Sequence, residues 1–322
     1  MNGKRLLALL AAAAMIAGAW FVRTRAIDRK TTDTATPGST PAASNEPSNA
    51  SVTIICIPEL QEVCRLSGAV YSVQAAGQTL AQIGSQPNPD VVWVTTAPLP
   101  EMADLLRGRA GLPPLQTGER KVLASTSIVV TAPTERAAIL KSVCPDLAWT
   151  CIGDKTSRPW KELGGQTGWQ DVTFRHLDPL TSATGLSVLG AALAGRVGRT
   201  DLSTSDVNSG EVSNWVNQLE NANKQLSSDP LTSVLVGTRF DIVGALATQV
   251  PSGGRVSTFE PTPVARVGAT VIATAGKLSA SLVANLTSAL GKNGWSPAVA
   301  PVGLPDATGM EAVQKHWQEM IR

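Results

Sequence analysis

The segment Asp90-Val91-Val92-Trp93-Val94 is a nearly continuous apolar run. It is bounded by Ser85-Gln86-Pro87-Asn88-Pro89 before it and Thr95-Thr96-Ala97-Pro98 after it. A strand with no polar face must be covered on both sides, which is the habit of parallel sheets flanked by helices. Its neighbours fit that arrangement. Ser51 to Cys56 is β-branched and reads as a buried strand, and Ala69 to Gln74 alternates and reads as a second strand. Leu60 to Leu66, Gln78 to Ile83 and Glu101 to Arg107 read as helices. This alternation predicts an α/β fold with mainly parallel sheets. In such sheets ligands sit beyond the carboxyl ends of the strands, where the loops Ile57-Pro58-Glu59 and Thr95-Thr96 fall.

The run Lys121 to Thr131 is long enough for two strands or for one strand that crosses between lobes. Thr134 to Val143 reads as a helix, Trp160 to Leu163 as a short turn or helix, and Asp171 to Leu177 as a strand. Beyond them, Asp206 to Gln225 is polar and helical. Gly237 to Asp241 is a turn between the apolar stretches Leu231 to Val236 and Ile242 to Thr248. Val256 to Phe259 and Val267 to Ala273 read as strands. Leu278 to Leu290 is amphipathic, with Leu282, Leu286 and Leu290 four residues apart. The tail, Glu311 to Arg322, is helical, with Trp317 and Met320 placed to dock on the body.

Between the strand ending at Leu177 and the alanine- and leucine-rich helix Ser187 to Val197 lies Asp178-Pro179-Leu180-Thr181-Ser182-Ala183-Thr184-Gly185-Leu186. Pro179 stops the strand and Gly185 permits a tight turn. Thr181, Ser182 and Thr184 bring three hydroxyls and free backbone N–H groups to a helix start. Such a start carries unpaired donors and partial positive charge, and can hold an anion or a polar group. An ordinary Ser/Thr cap has the same composition.

Hydrophobic residues make up 43% of the 322 and charged residues 16%, which excludes a disordered chain. The first thirty residues hold Lys4, Arg5, Arg23, Arg25, Arg29 and Lys30 against Asp28. Removing that +5 from the chain's +2 leaves a body at −3, which does not call for nucleic acid. Lys4 and Arg5 precede Leu6 to Val22, a stretch without charge, so residues 1–22 are a secretory signal or a membrane anchor. Retention as a single helix is the expectation, with cleavage near Ala19 the alternative. Both place the body outside the cytoplasm. Residues 23–50, rich in Thr, Ser, Ala, Pro and Asn from Thr31 onward, form a flexible tether.

Cys56, Cys64, Cys144 and Cys151 form an even set in an exported chain, so disulfides are expected. Of the three possible pairings, Cys56–Cys64 and Cys144–Cys151 each close a short local loop. A metal site is not expected, since C-x2-C spacing is missing and His176 and His316 are far from the cysteines. Nor is an enzyme or a cofactor. There is no Gly-x-Ser-x-Gly turn and no phosphate-cradling G-x-x-x-x-G-K-[ST]. His176, in a strand beside Arg175, is expected to be structural, and His316 to lie at the surface. Carboxylates are dispersed.

The order of motifs resembles a known family. It runs Pro-Asn-Pro-Asp-Val-Val-Trp-Val, then Leu-Ala-Ser-Thr-Ser-Ile-Val-Val-Thr-Ala-Pro, Trp-Lys-Glu-Leu, Asp-Pro-Leu-Thr-Ser-Ala-Thr-Gly-Leu and Val-Gly-Thr-Arg-Phe-Asp-Ile-Val. From residue 51 onward the chain is similar to extracellular solute-binding proteins of the two-lobed type II class. The nearest branch is the molybdate- and sulfate-like or family-11-like proteins of actinobacteria. The resemblance implies lobe I from residues 51–126 and 251–322, and lobe II from 127–250. Its hinge strands lie near Ser125-Thr126-Ser127 and Thr248-Gln249-Val250, and the lobes close on a ligand. It implies binding loops at Pro58 and Glu59, Thr95 and Thr96, Ser125 and Thr126, and Thr181, Ser182, Ala183 and Thr184, with Arg239 and Asp241 facing the cleft. The implied role is capture of a small polar or anionic solute for an ABC transporter permease or a sensor. The alternative is a binding-protein fold without a ligand that contacts an envelope protein. One departure from the pattern concerns the first loop. A disulfide cysteine, a proline without an N–H and the carboxylate of Glu59 are poor company for an anion.

Overall fold

The structure is a computed structural model that describes residues 54–115, 119–221, 229–236, 242–251 and 253–320. The expected N-terminal helix and tether lie outside these residues, as do Arg239 and Asp241. Among the described residues no helix is long and apolar enough to cross a membrane.

The first half of the sheet is assembled from both ends of the body. β1 (Ile54–Cys56) pairs in parallel with β2 (Tyr71–Val73) and with β3 (Val92–Thr96), the apolar run that defines the fold. β3 then pairs antiparallel with β8 (Arg266–Ala273), which comes from late in the chain. β8 pairs antiparallel with the first part of β4 (Arg120–Pro133). The expected long run is therefore one strand that passes from one half of the sheet to the other. Its second part, from Ile128 onward, pairs with β6 (Ile242–Leu246) and β7 (Val256–Phe259). β5 (Phe174–Arg175) lies beyond β6, parallel to it. β9 (Ser296–Pro297) adds a short edge to β4.

Two expectations are corrected here. The sheet is mixed and not mainly parallel. Three pairings between named strands are parallel, and five, all through β4 or β8, are antiparallel. Full burial on both faces marks β8 and β6 as central, but a central antiparallel strand is covered as completely as a parallel one. The second passage is also displaced. Residues Ala247–Gln249 form a 3-10 turn, and β7 still pairs with the second half. The return runs through residues 260–265, where the amide of Ile128 donates to the carbonyl of Ala265 at 2.8 Å. The strand read over Asp171 to Leu177 shrinks to Phe174–Arg175.

The helices follow their apolar faces. α1 (Gln61–Leu66), α2 (Ala76–Ser85) and α3 (Leu99–Arg109) cover the first half, with α2 packed on α3. α4 (Thr134–Val143) and α5 (Trp149–Lys155) belong to the second half, which also holds α6 (Ala183–Val197), buried at every residue from Ala183 to Ala194. α7 (Thr204–Val207), α8 (Gly210–Leu219) and α9 (Pro230–Leu235) complete that half. α10 (Ala280–Lys292) buries Leu286, Ala289 and Leu290, as its spacing predicts. α11 (Ala307–Met320) lies against α3 in one half and against α6 and α7 in the other, burying Met310, Val313 and Trp317. Most of the buried apolar side chains among the described residues form one connected cluster through both halves. Disulfides join Cys56 to Cys64 and Cys144 to Cys151, the two short-loop pairings.

Candidate functional site

The site is built on the start of α6. Asp178 opens a turn in which its Oδ1 accepts from the amide of Leu180 at 2.9 Å, and its carbonyl accepts from the amide of Ser182 at 2.9 Å. Trp317 of α11 anchors this turn by donating from Nε1 to Asp178 Oδ1 at 3.2 Å. Ser182 is the N-cap of α6, its Oγ accepting from the amide of Gly185 at 3.1 Å. Gly185 is required there, since a Cβ would stand 2.0 Å from the carbonyl oxygen of Leu177. To this point the segment is a conventional capped helix.

The additional element comes from the other half of the sheet. Glu59, just after β1, reaches across so that its Oε1 accepts from Ser182 Oγ at 2.6 Å and from the amide of Thr184 at 3.1 Å. One hydroxyl and one helix-start N–H thus converge on a single carboxylate oxygen. Charge-assisted bonds of this kind are about twice as strong as neutral ones, and the helix dipole adds to them. Glu59 Oε2 is buried and has no hydrogen-bond partner, and the same holds for Thr184 Oγ1, in a residue only 2% exposed.

The backbone seals the same seam. The amide of Ala76, at the start of α2, donates to the carbonyl of Thr181 at 2.9 Å. A Cβ on Gly77 would meet the carbonyl oxygen of Leu180 at 1.9 Å, so only glycine permits this approach. The residues read from sequence therefore separate into three groups. Glu59, Ser182 and Thr184 are brought together, with Ala183 buried between the last two and Thr181 exposed at the rim. Pro58 is exposed beside Glu59. Thr95 and Thr96 end β3, fully covered. Thr95 lies opposite Thr270 of β8, and the two hydroxyls are both buried without a hydrogen-bond partner. Ser125 and Thr126 lie in β4 at the crossing, where Ser125 Oγ donates to the carbonyl of Pro297 at 2.9 Å.

Sequence reading missed Ala76, Gly77 and Leu180. A glycine in the first turn of a helix, after two alanines, is a mark of close backbone approach. It also missed Glu220, for which the spacing gives no signal. His176 is fully buried, with Nδ1 facing the carbonyl of Leu177 at 2.6 Å and Nε2 facing the Glu220 carboxylate at 2.8 and 3.0 Å. The Leu177 carbonyl can only accept, so Nδ1 carries hydrogen, and an ionised Glu220 carboxylate favours a second hydrogen on Nε2. Burial by itself pushes the His176 pKa down, but the charge and hydrogen bond of Glu220 outweigh it, and the pKa is raised. His316 is half-buried, with Nδ1 2.8 Å from Asn208 Oδ1.

A separate cavity of about 250 Å³ lies by the β5 edge, among Ser157, Asp171, Arg175, Gln218 and Asn221. None of the residues singled out from sequence lines it.

No family model matches the chain, and comparison with curated proteins gives no match. Among solved structures the chain is similar to the periplasmic binding protein AfuA of Actinobacillus pleuropneumoniae, whose structure holds fructose-6-phosphate. The identity is 14%, over 84% of this chain and 96% of that one, with a TM-score of 0.51. A second similar structure is iron-bound HitA of Pseudomonas aeruginosa, 12% identical over 84% of this chain and 99% of that one, with a TM-score of 0.49. The likeness to AfuA shows the fold. It is the mixed α/β, two-lobed periplasmic-binding-protein fold.

Proposed function

We propose that this chain is an extracytoplasmic solute-binding protein of the type II class, tethered to the membrane by its N-terminal helix. In this reading it captures a small polar solute at the seam between its lobes and presents it to an ABC-type transporter or a sensor. Motif order sets it beside the molybdate- and sulfate-like or family-11-like branch. Lobe I is residues 51–126 with the C-terminal segment. Lobe II is residues 127–250, and the pairing of β7 with the second part of β4 supports extending it through β7. The candidate contacts are Pro58, Glu59, Thr95, Thr96, Ser125, Thr126 and Thr181 to Thr184, together with Arg239 and Asp241, which lie outside the described residues. Neither a cofactor nor bond-breaking chemistry belongs to this reading.

The observation that carries it is the meeting of Glu59 with Ser182 and the Thr184 amide across the two halves of the sheet. Polar groups from both lobes converge there on one point, which is what a solute between lobes requires. A thermal-shift screen of the full chain against sugars, amino acids, polyamines and oxyanions tests it. A true ligand at about 100 times its Kd stabilises the folded form by about 2.7 kcal/mol.

A second reading is favoured by the backbone seal, in which Ala76 donates to Thr181 and Gly77 abuts Leu180. It holds that the fold stays shut without a ligand and offers a fixed surface to an envelope protein. In that case no small molecule shifts the melting temperature, and a protein co-purifies with the chain.

A further inference from the structure

We propose that Glu59 is a built-in surrogate ligand. Its carboxylate occupies the anion position of α6, holds the two lobes together, and excludes free oxyanions from the seam. The inference rests on reading that seam as the solute position.

The first support is the donor set. A free carboxylate or tetrahedral oxyanion at the start of a helix is held by N–H groups of the first turn and a cap hydroxyl. Here the Thr184 amide and the Ser182 hydroxyl are such donors, and both are spent on Glu59 Oε1. The second support comes from side-chain atoms and not from the backbone donors. Thr184 Oγ1 and Glu59 Oε2 are both buried and both lack a partner. Groups left unsatisfied this way are uncommon in folded proteins and call for an explanation. The unused Thr184 hydroxyl is a further donor that an untethered anion could engage, while the idle Oε2 shows that the tethered carboxylate fits the position through one oxygen only. The third support is the span of the contact. Glu59 and Ser182 are 123 residues apart and lie on opposite halves of the sheet. A solute closing two lobes makes the same bridge, and Glu59 makes it with no solute.

The consequence for specificity is direct. An external anion must displace a carboxylate that is covalently tethered and therefore present at high effective concentration. Like charge opposes any anion that enters beside it. The wild-type protein is therefore closed to phosphate, sulfate and small carboxylates. Its own solute, if it takes one, is neutral or cationic.

The test uses the full chain and three forms, wild type, Glu59→Ala and Glu59→Gln, with sodium acetate, phosphate and sulfate as probes. Sodium chloride at matched ionic strength is the control. In Glu59→Ala, acetate replaces the missing carboxylate, and melting temperature rises saturably, by about 5 °C at 100 times its Kd. Wild type shows no saturable rise. Glu59→Gln keeps an acceptor oxygen for Ser182 and Thr184 and responds as wild type does. If Glu59→Ala does not fold in chloride, the expected result is soluble, folded protein when it is refolded in acetate or phosphate. The proposal is overturned if no anion acts on Glu59→Ala beyond chloride, folded or refolding, or if wild type binds the anions as tightly. A wild type that binds no solute at all, alongside acetate rescue of Glu59→Ala, removes the receptor reading and leaves the surrogate in place.

Discussion

Two glutamates in this molecule use the same chemistry to opposite ends. Glu220 is fully buried at the C-terminal cap of α8, and both its oxygens lie within 3.0 Å of His176 Nε2. Glu59 is partly exposed, reaches between halves, and satisfies one oxygen while the other goes without a partner. A buried ion pair with its hydrogen bonds complete is fixed, because separating it strands a charge in apolar surroundings. A one-sided contact at a seam is replaceable, because another donor or acceptor can take either place. Completeness of hydrogen bonding and location relative to the seam separate structural carboxylates from functional ones here.

The largest effect that could break this contrast is at the buried pair. Glu220→Ala or His176→Ala leaves its partner uncompensated and is expected to cost about 3–5 kcal/mol, read by urea denaturation. Glu59→Ala at the seam must cost clearly less. Equal losses would put both glutamates in one structural class. The pair also predicts a pH dependence with a definite sign. The raised pKa of His176, against an ordinary value of 6.5, means that its contribution is fully present below about pH 6.5. That contribution is lost as pH rises through the higher folded value. Unfolding free energy measured from pH 6 upward should therefore fall in wild type, and this component of the fall should vanish in His176→Gln. A rise through the same window would mean the imidazole is neutral in the fold.

Next in size is the backbone seal. Gly77→Ala places a methyl 1.9 Å from the Leu180 carbonyl and must push α2 away from the α6 turn. Overpacking of this kind costs about 1–3 kcal/mol. Small-angle scattering should show a larger radius of gyration if the halves part. Gly108→Ala is the matched control, since its Cβ meets nothing within 4 Å on α3. There the better helix former should add roughly 0.5–1 kcal/mol.

Much of this architecture was legible in the residues. Val92 to Val94 marked a central strand, Thr134 to Val143 a helix, and Leu286 and Leu290 the inward face of α10. These rest on local periodicity, which sequence carries directly. Strand direction was not legible, because β8 pairs with β3 and β4 across long separations that composition does not record. The site was half legible. The hydroxyls of Ser182 and Thr184 announced a polar helix start, and Glu59 stood out as an odd neighbour for an anion. That these belong to one contact depends on 123 residues of intervening chain folding back, and no local pattern encodes that. Glu220 was invisible for the same reason, being a lone acid at a helix end until β5 brings His176 to it.

The smallest effect is the sharpest. Ser182→Ala removes a helix cap and should cost about 1 kcal/mol on that ground alone. Ser209→Ala on α8 removes a cap of the same type, Ser209 Oγ accepting from the amide of Val212, with no carboxylate attached. The excess of the first loss over the second measures what Ser182 gives to Glu59. A double-mutant cycle of Glu59→Ala with Ser182→Ala should return a coupling of at least about 0.5 kcal/mol, as for groups in direct contact. The same cycle between Glu59 and Ser209 should return none. Coupling absent from the first cycle would reduce Ser182 to a cap, and Glu59 to a surface acid resting near it.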